Sequence, residues 1–122
     1  MKSAVTGTKP GGPYSPGVIA EGRFLFVSGQ APQRDGAMIL GTIEEETALT
    51  LENIGRVLES AGASFADVVR CNVYLTNLES FGAMNAVYET YFPEPRPART
   101  TVGVALLDGM QIEIDCVVVL PG

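Results

Sequence analysis

The sequence predicts an α+β fold in which two helices pack on one face of a mixed β-sheet. Three observations carry this expectation. Strand-like and helix-like segments follow one another in the order β-β-(β)-α-β-α-β-β, and two of them, about 43–61 and 80–92, repeat apolar residues at helical spacing. The intervening runs alternate or are continuously apolar, as sheet strands are. All of this fits one domain spanning residues 1–122.

The first thirteen residues, ending at Gly11-Gly12-Pro13, read as an irregular lead-in. Ser15 to Glu21 and Arg23 to Ser28 read as two strands of a hairpin turning at Glu21-Gly22. Phe24-Leu25-Phe26-Val27 is continuously apolar, which predicts a strand covered on both faces; it ends at Ser28-Gly29-Gln30, where a glycine allows close approach. Pro32 to Gly36 is a turn, followed by a short extended segment from Ala37 to Leu40. Thr42 and Glu45 form a capping box, and Glu44, Glu45 and Glu46 crowd the first turn, where the helix dipole favours negative charge. Leu51, Ile54, Val57 or Leu58 and Ala61 continue that helix until Gly62.

Asp67 to Thr76 alternates, with Val69, Cys71, Val73 and Leu75 on one face and Val68, Arg70, Asn72 and Tyr74 on the other. A second helix follows from about Ser80 to Phe92, striped by Phe81, Met84, Val87 or Tyr88 and Tyr91, and stopped by Pro93-Glu94-Pro95-Arg96-Pro97. The last strands run from about Ala98 to Leu106 and from Gln111 to Leu120. Val117 and Val119 beside Glu113 and Asp115 leave the second sheet face too apolar for water, so other copies of the chain are expected to cover it.

Composition excludes several kinds of chemistry. The chain carries a net charge of −6, and its eight Lys and Arg are scattered, which argues against a nucleic-acid surface. Without histidine there is no Ser-His-Asp or Cys-His nucleophile, and the commonest transition-metal ligand is missing. Cys71 and Cys116 read as small buried hydrophobes and cannot by themselves make a structural zinc site. Apolar runs fall well short of the ~20 residues of a membrane span, and no secretory signal pattern opens the sequence, so the expected compartment is the reducing cytosol. Chemistry is left to carboxylates, arginine, hydroxyls and backbone amides.

Arg99 is the residue that most needs explaining, because it stands alone in an apolar strand. A guanidinium offers a planar fork matched to a carboxylate, and burying it unpaired costs on the order of 3–5 kcal/mol. Either Glu113 or Asp115 neutralises it permanently, or the site receives a small anionic ligand. With the last two strands taken as a hairpin, a register shifted by one residue places Arg99, Thr101, Glu113 and Asp115 on one sheet face. Arg99 and Glu113 then lie about 13 Å apart and could converge on a small molecule, with Asp115 the nearer candidate for a salt bridge.

Five motifs in order give the chain a strong resemblance to the reactive-intermediate deaminase family, the RidA or YjgF type. They are Gly12-Pro13-Tyr14-Ser15-Pro16-Gly17, Val27-Ser28-Gly29-Gln30, Asn85-Ala86-Val87-Tyr88-Glu89, Pro97-Ala98-Arg99-Thr100-Thr101-Val102 and Ile112-Glu113-Ile114-Asp115. The resemblance implies a chorismate-mutase-like fold and a homotrimer with a central barrel and ligand clefts between subunits. It further implies cofactor-free and metal-free hydrolysis of imines and enamines, such as 2-aminoacrylate and 2-iminobutanoate, to a 2-keto acid and ammonia. By resemblance Arg99 grips the substrate carboxylate and Glu113 positions or activates water. Tyr14 lines the cleft, backbone groups at Ser28 and Gly29 face the substrate nitrogen or its water, and Asn85 helps at the edge. Thr101 departs from the cysteine of many members and would supply a hydroxyl instead.

Plainer alternatives stand beside these roles: a salt bridge from Arg99 to Asp115, an interfacial Glu113, a turn aromatic at Tyr14 and a solvated Asn85. At the level of function the alternatives are a non-catalytic keto-acid-binding or stress-related protein and a pathway-specific deaminase of an aminomuconate-like enamine. A ribonuclease or translation inhibitor is a further reading, disfavoured by the acidic charge and the missing histidine.

Overall fold

The structure is a computed structural model that describes all 122 residues. In chain order it contains β1 (Lys2–Val5), β2 (Gly17–Ala20), β3 (Phe24–Gln30), β4 (Gln33–Arg34), β5 (Ala37–Met38), α1 (Ile43–Ser60), β6 (Val68–Leu75), α2 (Phe81–Tyr88), β7 (Ala98–Gly103) and β8 (Ile112–Val119). Single 3₁₀ turns at Phe65–Asp67 and Leu78–Ser80 lead into β6 and α2. The main sheet is mixed, with strand order β3-β8-β6-β7: β6 and β7 are parallel and the other pairs antiparallel. Both helices pack on one face of it, the α+β arrangement that the periodicities predict.

Thr42 caps α1 as expected, its hydroxyl accepting from the Glu45 amide at 3.1 Å while the Glu45 carboxylate accepts from the Thr42 amide at 2.9 Å. Leu51, Ile54 and Leu58 bury that helix against Cys71, Val73, Ile112, Ile114 and Cys116 of the central strands and against Met84, Tyr88 and Phe92. Each such fully buried aliphatic side chain stabilises the fold by about 1.5–3 kcal/mol. Asn53, also on α1, donates to the carbonyls of Ala31 and Gln33 at 2.9 and 2.8 Å, fixing the chain just after β3.

Four sequence expectations are corrected. Part of the supposedly irregular lead-in is β1, which pairs with β2, so β2 and β3 are not a hairpin; β3 instead pairs with β8. The run Phe24 to Val27 is covered on one face only: Val27 is buried, whereas Phe26 is 74% exposed. Helix α2 ends at Tyr88, four residues short of its expected end at Phe92, and Tyr91 and Phe92 pack from the turn that follows. Finally, β7 and β8 do not pair, because β6 lies between them.

This last correction reverses a face. Arg99 and Thr101 stand opposite Cys71 and Val73, while Asp115 and Glu113 stand opposite Asn72 and Tyr74. Paired residues share a face and neighbours in a strand alternate. Arg99 and Thr101 therefore point to the helices, and Glu113 and Asp115 point to the open face. The hairpin register fails because a parallel strand inserted between two antiparallel candidates satisfies the same alternation with opposite orientation.

Candidate active site

The Pro-rich connector delivers Arg99 into a cage. Ser15 donates its amide to the Pro97 carbonyl at 3.0 Å and its hydroxyl to Arg96 O at 2.5 Å, docking the Gly12-Pro13-Tyr14 turn on the start of β7. The Tyr14 ring centre then lies 4.8 Å from Arg99 Cζ, with Tyr88 at 4.8 Å and Phe81 at 5.5 Å. Arg99 is 7% exposed, and its Nη1 faces Met84 Sδ at 4.0 Å. No carboxylate reaches it; the one ion pair in the chain joins Arg96 and Glu94. Burial pulls the guanidinium below its ordinary pKa, while Tyr88 and Tyr14 oppose that shift.

Arg99 Nε and Nη2 are buried and have no hydrogen-bond partner. Those two nitrogens form the side edge of the guanidinium fork, the edge that takes a carboxylate two-for-two. Asn85 Oδ1 and Thr101 Oγ1 are also buried and unpaired. Gly12 leaves the room this edge needs, because a Cβ there would stand 3.2 Å from Arg99 Nη2 and 3.3 Å from Asn85 Nδ2. Tyr14, Asn85 and Arg99 thus converge, and Thr101 lies two residues along the same face.

Glu113 belongs to a second group on the open face. The ladder between β3 and β8 shifts register between Val27 and Gln30, a bulge that carries Ser28 and Gly29. A Cβ on Gly29 would overlap the Glu113 carboxylate, so the glycine exists in contact with that group. The sheet separates Glu113, Ser28 and Gly29 from Arg99, and a single chain cannot bring both sets to one ligand. Asp115 is also removed from Arg99: it accepts from Asn72 Nδ2 and Tyr74 OH, each at 2.8 Å. The salt-bridge alternative for Arg99 is accordingly corrected, since Asp115 lies across the sheet with other partners.

Sequence reasoning passed over Gly12, Phe81, Met84 and Tyr88 as members of the site. The signal was present in the spacing: Phe81, Met84, Asn85 and Tyr88 recur at intervals of three or four, so the helical stripe that packs the core is also the wall of the Arg99 cage. No three His, Cys, Asp or Glu side chains come together as metal ligands would.

Comparison with known proteins agrees with this fold. The endoribonuclease L-PSP family model matches residues 5–120. The protein mmf2, mitochondrial, of Schizosaccharomyces pombe is 45% identical over 111 residues, covering 88% of this chain and 87% of its own. A 2-iminobutanoate/2-iminopropanoate deaminase of Dermatophagoides farinae is 38% identical over 115 residues, covering 92% and 89%. The crystal structure of RidA from an Antarctic Psychrobacter superposes with a TM-score of 0.76 at 33% identity, covering 92% of each chain. With the profile, the relatives and the fold in agreement over almost the whole length, the chain belongs to the endoribonuclease L-PSP family, also known as the YjgF/RidA family.

Proposed function

We propose that the protein hydrolyses small 2-imino acids and their enamine tautomers, among them 2-iminobutanoate and 2-iminopropanoate, to 2-keto acids and ammonia, in clefts between copies of a homotrimer. The observation that carries this reading is the buried, unpartnered Nε–Nη2 edge of Arg99. Such an edge is costly in isolation and becomes favourable when a carboxylate fills it. Asn85 and Tyr14 border the same edge, and Thr101 supplies a hydroxyl farther along the face. The named relatives add support, because a deaminase of exactly this substrate class is 38% identical.

The missing half is Glu113, which lies on the face that exposes Phe24 and Phe26. Association of copies through that face covers the aromatic surface and brings Glu113 of one copy toward Arg99 of the next. In the cleft Arg99 holds the carboxylate. Glu113 takes a proton from water as the oxygen adds to the imine carbon, and that proton passes to the nitrogen. The hydroxyl of the resulting carbinolamine then gives up its proton, which Glu113 relays to the same nitrogen, and as the carbonyl forms the carbon–nitrogen bond breaks, leaving a keto acid and ammonia. A carboxylate in this general-base role is worth about 10²–10⁴-fold.

The test is release of ammonia and keto acid from 2-iminobutanoate generated in place by an amino-acid oxidase, with semicarbazide as the competing trap. The parent should accelerate hydrolysis and Arg99→Ala should not; an Arg99→Ala variant as active as the parent sinks the assignment. A second reading, a keto-acid-binding protein, is favoured by one fact: the Arg99 cage is complete within a single chain. Glu113→Ala separates the two, since an enzyme loses turnover while retaining keto-acid binding, whereas a binder shows no turnover in the parent.

A further inference from the structure

We infer that Tyr88 is a positioning residue for Arg99, its ring fixing the plane of the guanidinium so that the Nε–Nη2 edge is presented to the ligand. The inference rests on the reading of Arg99 as a carboxylate anchor. Arg99 has no ion pair; three aromatic rings lie around its Cζ, and its Nη1 donates to Met84 Sδ at 4.0 Å. Of the three rings only that of Tyr88 is wholly buried. Tyr88 is itself immobilised, stacked on Phe92 with ring centres 4.4 Å apart, and Phe92 meets Phe65 edge-on at 5.1 Å. Tyr14, by contrast, is on a turn that includes two glycines.

The Tyr88 hydroxyl is buried and makes no hydrogen bond of ordinary geometry. What the guanidinium uses is the ring face, through a cation–π contact that a phenylalanine can also make. Ring and hydroxyl are therefore separable by substitution. Tyr88→Phe keeps the surface under Arg99, whereas Tyr88→Leu removes it and leaves the guanidinium free to rotate.

The test is calorimetric titration with 2-oxobutanoate and steady-state imine hydrolysis, on the parent, Tyr88→Phe, Tyr88→Leu and Arg99→Ala. Tyr88→Phe should bind as the parent does. Tyr88→Leu should bind about tenfold more weakly and raise KM by a similar factor, with kcat at saturation within about twofold, because Glu113 is untouched. Tyr88→Met replaces Tyr88→Leu where the latter does not fold, and the same weakening is expected. A folded Tyr88→Leu or Tyr88→Met that binds 2-oxobutanoate like the parent overturns the inference, as does a Tyr88→Phe that binds as weakly as either. A parent that does not bind 2-oxobutanoate refutes instead the underlying reading of Arg99.

Discussion

Two glycines mark where the backbone comes close to side chains of the candidate site. At Gly12 a methyl group would stand 3.1–3.3 Å from Tyr14, Arg99 Nη2 and Asn85 Nδ2, so these neighbours would have to give by a few tenths of an ångström. Gly12→Ala is expected to weaken keto-acid binding by about tenfold, equivalent to about 1.4 kcal/mol, with little change in Tm. Calorimetry beside a thermal melt checks this; parent-like affinity would show that Arg99 uses another edge. At Gly29 the added carbon would lie only 2.9 Å from Glu113 Cδ. Because a flexible carboxylate end can move away, Gly29→Ala should fold and lose kcat on the order of 10²-fold, as a displaced general base would. Unaltered turnover would separate Glu113 from the chemistry.

Elements hold these residues in place by means that can be measured separately. The capping box at Thr42 fixes the start of α1, and Thr42→Ala should lower the free energy of unfolding by about 1 kcal/mol in a urea titration. The Arg99 cage lies on the other helix, so binding should not change. On the open face Tyr74 donates to Asp115, and this hydrogen bond, followed by desolvation and the charge of Asp115, raises the Tyr74 pKa. A phenol whose pKa is higher folded than unfolded adds stability below the ordinary tyrosine value of about 10, and that stability fades as pH rises toward the folded value. Asp115→Asn should move the Tyr74 titration, followed by NMR of labelled tyrosine, back toward the ordinary value. A curve that does not move would mean the hydrogen bond is absent in solution.

For the whole molecule, Arg99 and Glu113 lie on opposite faces of one sheet, so the proposed hydrolysis requires assembly. Phe26→Lys puts a charge on the exposed aromatic surface and should give monomers by light scattering that retain far-ultraviolet circular dichroism but lose hydrolysis. Complementation is the sharper measurement. Arg99→Ala and Glu113→Ala are each expected to be inactive alone, yet in mixed assemblies an intact Glu113 from one variant would meet an intact Arg99 from the other. Random co-assembly in equal amounts restores about a quarter of the sites. No recovery after co-refolding would place both residues of each site in the same copy.

The sequence by itself determined α1, most of α2 and the strands β6 to β8, with the burial of their inward faces, because periodicity and capping are local and their consequences are felt within a few residues; β1, which exists only by pairing with β2, was not legible. Thr42 with Glu45, the stripe Leu51-Ile54-Leu58 and the alternation through Cys71, Val73 and Leu75 were all legible this way. Arg99 stood out as well, as a lone cation in an apolar strand, and the structure leaves it without an anionic partner. Only the tertiary structure decided which strands are neighbours. Strand β6 enters between β7 and β8, and one inserted strand carries Arg99 to the helices while Glu113 stays on the open face. Alternation along a strand fixes which residues share a face within that strand; which way the strand then points depends on pairing across the chain, and no local signal encodes that.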